Sequence, residues 1–303
     1  MKALLKQVVA GICEDFGNPV RLRRMLAEYP QIRVVLAEPL PSIAASSVPP
    51  WHELGKHPLL GDPRRSRGTL SGWRYSSGVW QSFERFYPEY DQIAHCEIEH
   101  DWGCDLSDID GFSASKADLQ TYLNTDAMAE ARCQWLISEI TEERLGTSLA
   151  HQEIRIIHAP GTLDHFARYL WDGRLWLMNH GGSHHVAAAK YLSARLGKRV
   201  PLVGTRRTYS LNPAAISSLL STFEMFAISN KDSTGYNAFF KAMEAFRATW
   251  LSHPLPAPYD SARAILLPRS ELRSMRVAAE LRNAGIANLG TYLSALCERQ
   301  QRV

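Results

Sequence analysis

The chain has 303 residues, of which 45% are apolar and 21% charged. That balance is ordinary for a globular protein and excludes a disordered tail or a collagen-like chain; at roughly 150 residues per domain the length allows one large domain or two ordinary ones. The formal net charge of +3, from 34 basic and 31 acidic residues, names no partner, and without a run of 18 apolar residues no transmembrane helix is expected.

Residues 1–30 are predicted helical. The apolar stretch at the start is broken by Lys6 and Gln7 and followed by Glu14 and Asp15, so it reads as an amphipathic helix of a cytoplasmic protein rather than a signal peptide. Residues 31–36 are a strand candidate by their β-branched content. Pro39, Pro41, Pro49 and Pro50 then mark a linker. Residues 51–90 read as irregular, with Arg64, Arg65, Arg67 and Arg74 interleaved with Trp73, Tyr75 and Trp80. Such a pattern can grip single-stranded nucleic acid by charge and stacking, or it can anchor a surface segment to the core.

From Glu89 to Ser115 there are eight acidic residues and no Lys or Arg. The spacing Asp105, Asp108, Asp110 matches no EF-hand loop and reads as a solvated acidic segment. Ser115 with Asp118 is a helix start, and a helical pattern runs from there to about Leu145 with a break near Asn124. Five cysteines, Cys13, Cys96, Cys104, Cys133 and Cys297, are widely and irregularly spaced, which predicts isolated reduced thiols.

Residues 153–157 are predicted as a strand, 162–170 as a helix and 174–178 as a strand. A tight turn at His180-Gly181-Gly182 follows, then a helix from Ser183 to Leu196 closed by Gly197, and a strand over 200–203. That alternation is α/β organisation. Beyond Asn212-Pro213 the expected helices span 214–227, 236–251, 270–283 and 287–299. The last two are joined by Ala284-Gly285, as in a DNA-reading helix-turn-helix or a packed helical hairpin. The fold class is therefore α+β: a mixed N-terminal region over 1–150, a small mixed α/β core over 151–213, and a largely helical region over 214–303.

The stretch from Asn179 to Ala189 carries the candidate site. It joins a strand to a helix, where α/β folds place ligands. Gly181 and Gly182 permit a sharp turn and close approach, and the free amides of the helix start favour a phosphate or carboxylate. Ser183, His184 and His185 add donors. No Asp or Glu occurs from Gly173 to Phe223, although that stretch holds seven Lys and Arg, Arg206 and Arg207 among them. Asp164 is the preferred acid for a base or Mg²⁺ ligand.

The order apolar strand, Gly-Gly-x-His-x, alanine-rich helix, Val200-Pro201-Leu202-Val203 resembles the ParB/sulfiredoxin superfamily over residues 153–213. The resemblance implies a nucleotide-binding core in which the motif cradles the phosphates of ATP or CTP with Mg²⁺. Carried over, Gly181 and Gly182 form the turn, Ser183 the first helical turn and His184 the motif histidine, with His185 in place of the usual arginine. Arg206 and Arg207 stand where a phosphate-reaching segment follows the third strand. The resemblance further implies a bacterial or phage protein, a possible homodimer, and an NTP-hydrolysing, phosphotransfer or nuclease activity. Ser183 replaces the reactive cysteine of sulfiredoxins, which excludes their chemistry. Three other readings stand beside this one, the last of them a noncatalytic scaffold in which the turn holds no ligand. The first is a DNA-associated binding module or nuclease resting on the basic residues. The second is a metal-dependent hydrolase using His158, Asp164, His165, His180, His184 and His185, although adjacent histidines on a helix point about 100° apart and so share an ion poorly.

Overall fold

The computed structural model describes residues 11–37, 41–55 and 67–302. In chain order the strands are β1 (Thr69–Ser76), β2 (Val79–Phe86), β3 (Ala94–Asp105), β4 (Gly111–Phe112), β5 (His165–Tyr169), β6 (Leu175–Met178), β7 (Pro201–Leu211), β8 (Phe223–Ser229), β9 (Trp250–Pro254) and β10 (Ala262–Pro268). The α-helices are α1 (Val20–Glu28), α2 (Pro88–Asp91), α3 (Thr125–Arg132), α4 (Glu142–Leu149), α5 (Arg155–His158), α6 (Ser183–Leu196), α7 (Pro213–Thr222), α8 (Ser233–Phe246), α9 (Leu272–Asn283) and α10 (Leu289–Gln300). The fold is α+β, with two five-stranded sheets.

The chain divides into two units, and the division is not the linear one expected at residues 150 and 213. One unit takes the described residues of 1–37, 50–94 and 212–298; the other takes those of 38–49, 95–211 and 299–303. Residues 1–150 thus contribute to both, because β1 and β2 join a sheet whose other strands come from the C-terminal third.

That first sheet runs β2-β1-β9-β10-β8 and is antiparallel throughout. The C-terminal region carries four helices, and between them it also supplies three strands that the sequence reading did not expect. Phe223–Ser229 and Trp250–Pro254 extend apolar runs that begin as helices, and a short apolar run has no periodicity to separate buried strand from helix. The irregular segment is in part a hairpin. Ser76 pairs with Val79 across a two-residue loop in which Ser77 and Gly78 both take positive φ, as a type I′ turn requires. Residues 31–36 form a 3-10 turn at Pro30–Ile32 and a single bridge from Arg33 to Ile228 instead of a strand. Leu22 and Leu26 of α1, Phe239 and Met243 of α8, and Val277 and Leu281 of α9 meet Phe226, Ile228 and Ile265 of the sheet in one apolar core. The predicted helices α9 and α10 are both present, and their Leu281, Leu289, Leu293 and Leu296 are buried.

The second unit holds the candidate site. Its sheet runs β3-β7-β5-β6-β4; β5 is antiparallel to β6 and parallel to β7, and β4 is parallel to β6. Two expectations change here. Residues 162–170 give the strand β5, because Phe166, Ala167 and Tyr169 are buried in an interior position of the sheet, where ladder bonds outweigh a helical spacing of apolar residues. Residues 153–157 give no strand; Ile154 is buried and Arg155–His158 form the single turn α5. The expected helix after Ser115 is a 3-10 turn capped by Asp118, then α3 capped by Asn124 and α4 capped by Thr141. By contrast, β6 and α6 fall at the predicted places. The chain leaves β6, forms α6 and re-enters as β7 on the far side of β5. Ala187, Ala188 and Ala189 are buried in α6, and their small side chains let the helix lie close on Phe166, Leu177 and Leu202.

The acidic and basic segments meet across the β3–β7 edge. Arg206 pairs with Glu99 at 2.6 Å and Arg199 with Asp105 at 3.4 Å. Asp105 also accepts from the Val200 amide at 3.1 Å. Among the described residues no helix is long and apolar enough to cross a membrane.

Candidate functional site

The turn between β6 and α6 is built by two residues that hold the backbone from opposite sides. Gly182 sits at φ +75°, and a Cβ there would come within 2.8 Å of the Glu153 carbonyl oxygen, so only glycine fits. Asn179 is buried, and its amide clamps the turn to the segment after β4. Its Oδ1 accepts from the Ser113 and Ala114 amides at 3.2 Å each. Its Nδ2 donates to the carbonyls of Ala114 at 3.0 Å and Gly181 at 2.8 Å. The Ser113 hydroxyl completes the clamp by donating to the Asn179 carbonyl at 2.9 Å.

What the clamp frames is a cleft of about 480 Å³, lined by Ala114, Ser115 and Lys116 on one rim, Trp135, His151 and Glu153 on another, and His180 through His185 at its floor. The 14-residue helix α6 begins in this floor. No side chain caps its first turn and no acidic residue lies there. The uncapped amides and the positive end of the helix dipole thus face the cleft.

Four histidines line it. His180 is held by Asp164, whose Oδ1 accepts from Nδ1 of His180 at 2.5 Å and from its backbone amide at 3.1 Å. Asp164 is buried. His185 stacks on His151 with ring centroids 3.6 Å apart, and Trp135 meets it edge-on at 5.7 Å. Nδ1 of His185 is buried without a hydrogen-bond partner. Burial lowers the pKa of His184, with Arg132 and Lys116 adding to the effect. Burial, then His151, pushes His185 down to about 4. The His184 carbonyl accepts from the Cys133 thiol at 3.3 Å, which ties the helix start to the end of α3.

A stability prediction follows from His185. The folded chain keeps this ring neutral down to about pH 4, whereas the unfolded chain takes up a proton near the ordinary value of 6.5. Unfolded protein binds more protons in that window, so stability falls as pH drops from about 6.5 to about 4. Urea unfolding at pH 7.5 and pH 5 should show a smaller loss for His185→Phe, which keeps a ring against His151, than for the wild type. Equal losses would refute the assignment.

Of the residues expected from sequence, Gly181, Gly182, Ser183, His184 and His185 are together in this cleft, and Asp164 lies beneath it, bound to His180. Arg206 and Arg207 do not line it. They lie on β7, where Arg206 spans Glu99 and the face of Trp102 at 4.4 Å. Their separation from the cleft reflects the length of β7, which runs eight residues past the predicted end at 203. The histidines proposed as a metal cluster do not converge. His158 bonds the Leu149 carbonyl and His165 the Leu163 carbonyl, and among the described residues no three His, Cys, Asp or Glu side chains could hold an ion together. Arg64 and Arg65 lie outside the described residues. Arg67 pairs with Asp91 at 3.2 Å and Arg74 covers Phe83, so both are engaged within the protein.

Sequence reasoning missed Lys116, Trp135 and His151, which reach the cleft from three other segments. It also missed the role of His180, whose partner is 16 residues away. Residues 99–303 match a family described as "Family of unknown function (DUF6685)", and every residue of the cleft lies inside that match. No curated protein and no solved structure matches the chain.

Proposed function

The chain belongs to the family of unknown function DUF6685, and we propose that this protein binds a nucleotide through its phosphates, ATP or CTP with Mg²⁺, in the cleft at the start of α6. The observation that carries this reading is the uncapped first turn of α6 opening on a cleft lined by His184, His185 and Lys116. Three free amides and the helix dipole supply about half a positive charge, and the buried, unpartnered Nδ1 of His185 supplies a further polar group. The strand, Gly-Gly turn, helix and strand order supports the resemblance to ParB/sulfiredoxin cores. Trp135 offers a flat apolar surface to a base, and Glu153, exposed on the cleft wall, is the carboxylate that an accompanying Mg²⁺ would meet.

Binding has a proton signature. An anion beside His184 and His185 raises their depressed pKa values, so the complex takes up protons and affinity rises as pH falls from about 7.5 to 6. Calorimetry in two buffers of different ionisation enthalpy reads this uptake directly. In thermal unfolding, ligand at a hundredfold excess over Kd should stabilise by about 2.7 kcal/mol. His184→Ala should weaken that effect. The absence of any shift with ATP, ADP, CTP or GTP at millimolar levels, with Mg²⁺ present, overturns the reading.

A further inference from the structure

A bound phosphate would lie beside a pair of side chains that simple binding does not require. Asp164 immediately precedes β5, and the antiparallel register of His165 with Met178 carries it to the turn that follows β6. There its carboxylate accepts twice from His180, at the backbone amide and at Nδ1. The amide bond alone would hold the turn. The bond to Nδ1 fixes the ring as the Nδ1–H tautomer and leaves Nε2 with a free lone pair. The two members are also segregated: the Asp164 side chain is 2% exposed and that of His180 54%. A buried carboxylate thus orients an imidazole that opens to the cleft and to water.

Resting on the phosphate reading above, we infer that His180 is a general base, with Asp164 as its positioning residue, and that the protein hydrolyses a nucleotide phosphoanhydride. The terminal phosphoryl group sits on the first-turn amides of α6, which take the negative charge of its oxygens. Nε2 of His180 accepts a proton from water as the water oxygen bonds to phosphorus. The bond from phosphorus to the bridging oxygen breaks, and its electron pair leaves with the nucleoside diphosphate. His180 then returns its proton to solvent, and phosphate and diphosphate depart. No oxidant or further reactant is consumed. His165, Glu153, His151, His184, His185 and Lys116 are the other titratable groups of the cleft and its margin.

The test compares the wild type with His180→Gln and Asp164→Asn. Binding of a triphosphate analogue with a methylene bridge is read by calorimetry. Phosphate release from ATP, CTP and GTP with Mg²⁺ is read across pH 5.5–8.5, and the His180 tautomer by nitrogen NMR. His180→Gln should bind the analogue within about threefold of wild type yet release phosphate at least about 100-fold more slowly, the usual share of a general base. Asp164→Asn should lose the Nδ1–H preference and slow release without a matching loss of binding. Analogue binding with no phosphate release, or with release unchanged in His180→Gln, overturns the catalytic assignment and leaves the phosphate reading intact. Absence of analogue binding overturns both.

Discussion

Gly182→Ala is expected to lower both stability and phosphate affinity, and by more than any other single methyl addition at the cleft. The residue has φ +75°, and its added Cβ would lie 2.8 Å from the Glu153 carbonyl oxygen and 3.0 Å from the Ile154 amide nitrogen. The left-handed backbone alone costs an L-residue about 1–2 kcal/mol. The contact adds to this because both neighbours are backbone and neither can rotate away. Relief requires the turn to move, and the turn carries His180 and the first amides of α6. Gly197→Ala at the other end of the same helix is the control. Its φ is +63°, but an added Cβ meets nothing within 4 Å, so it should cost only about 1 kcal/mol and leave binding unchanged. Urea unfolding and phosphate calorimetry on both variants measure the difference. Equal binding losses in the two would mean that the Gly182 turn does not shape the cleft.

The same two glycines explain why α6 was legible. They bracket a run of small and apolar residues, and the predicted Ser183–Leu196 is the helix observed. Legibility was poor where a helix runs directly into a strand. Phe223 both caps α7 and begins β8, with no glycine or proline between them, so the local pattern carries no stop. It failed at β5 for another reason: Leu163, Phe166 and Leu170 recur at helical spacing, and only the pairing with β6 and β7 decides for strand. That failure hid the dyad. With residues 162–170 read as a helix, Asp164 had no reason to face His180, and its carboxylate was assigned to the reaction itself. Charge alone leaves open whether the basic run pairs with the acidic segment or faces a ligand. Arg199 and Arg206 answer Asp105 and Glu99 on the adjoining strand, so part of the positive segment is neutralised within its own sheet.

Asp172→Ala should destabilise the second unit by about 3 kcal/mol while leaving phosphate affinity of the folded protein within about twofold of wild type. Asp172 sits in the turn between β5 and β6, where its side chain is 6% exposed. It accepts from Arg174 Nη2 at 2.7 Å, from Arg174 Nε at 3.0 and 3.1 Å, and from the indole nitrogen of buried Trp176 at 3.2 Å. Arg174 in turn lies over the Trp176 ring at 4.4 Å and donates to the Ser42 carbonyl at 2.8 Å. Truncation leaves the buried indole N–H without its acceptor and the part-buried guanidinium without its counter-charge, which is the costly way to break such a network. Asp172→Asn, able to accept but uncharged, should lose about half as much. The ladder from Arg168–Leu175 to His165–Met178 separates this turn from the cleft, so the loss should not reach His180. Two carboxylates, one at each end of one hairpin, are thereby told apart: Asp172 acts on the urea midpoint and Asp164 on phosphate release. A Gln-like loss of turnover in Asp172→Asn, with its stability unchanged, would reverse that assignment.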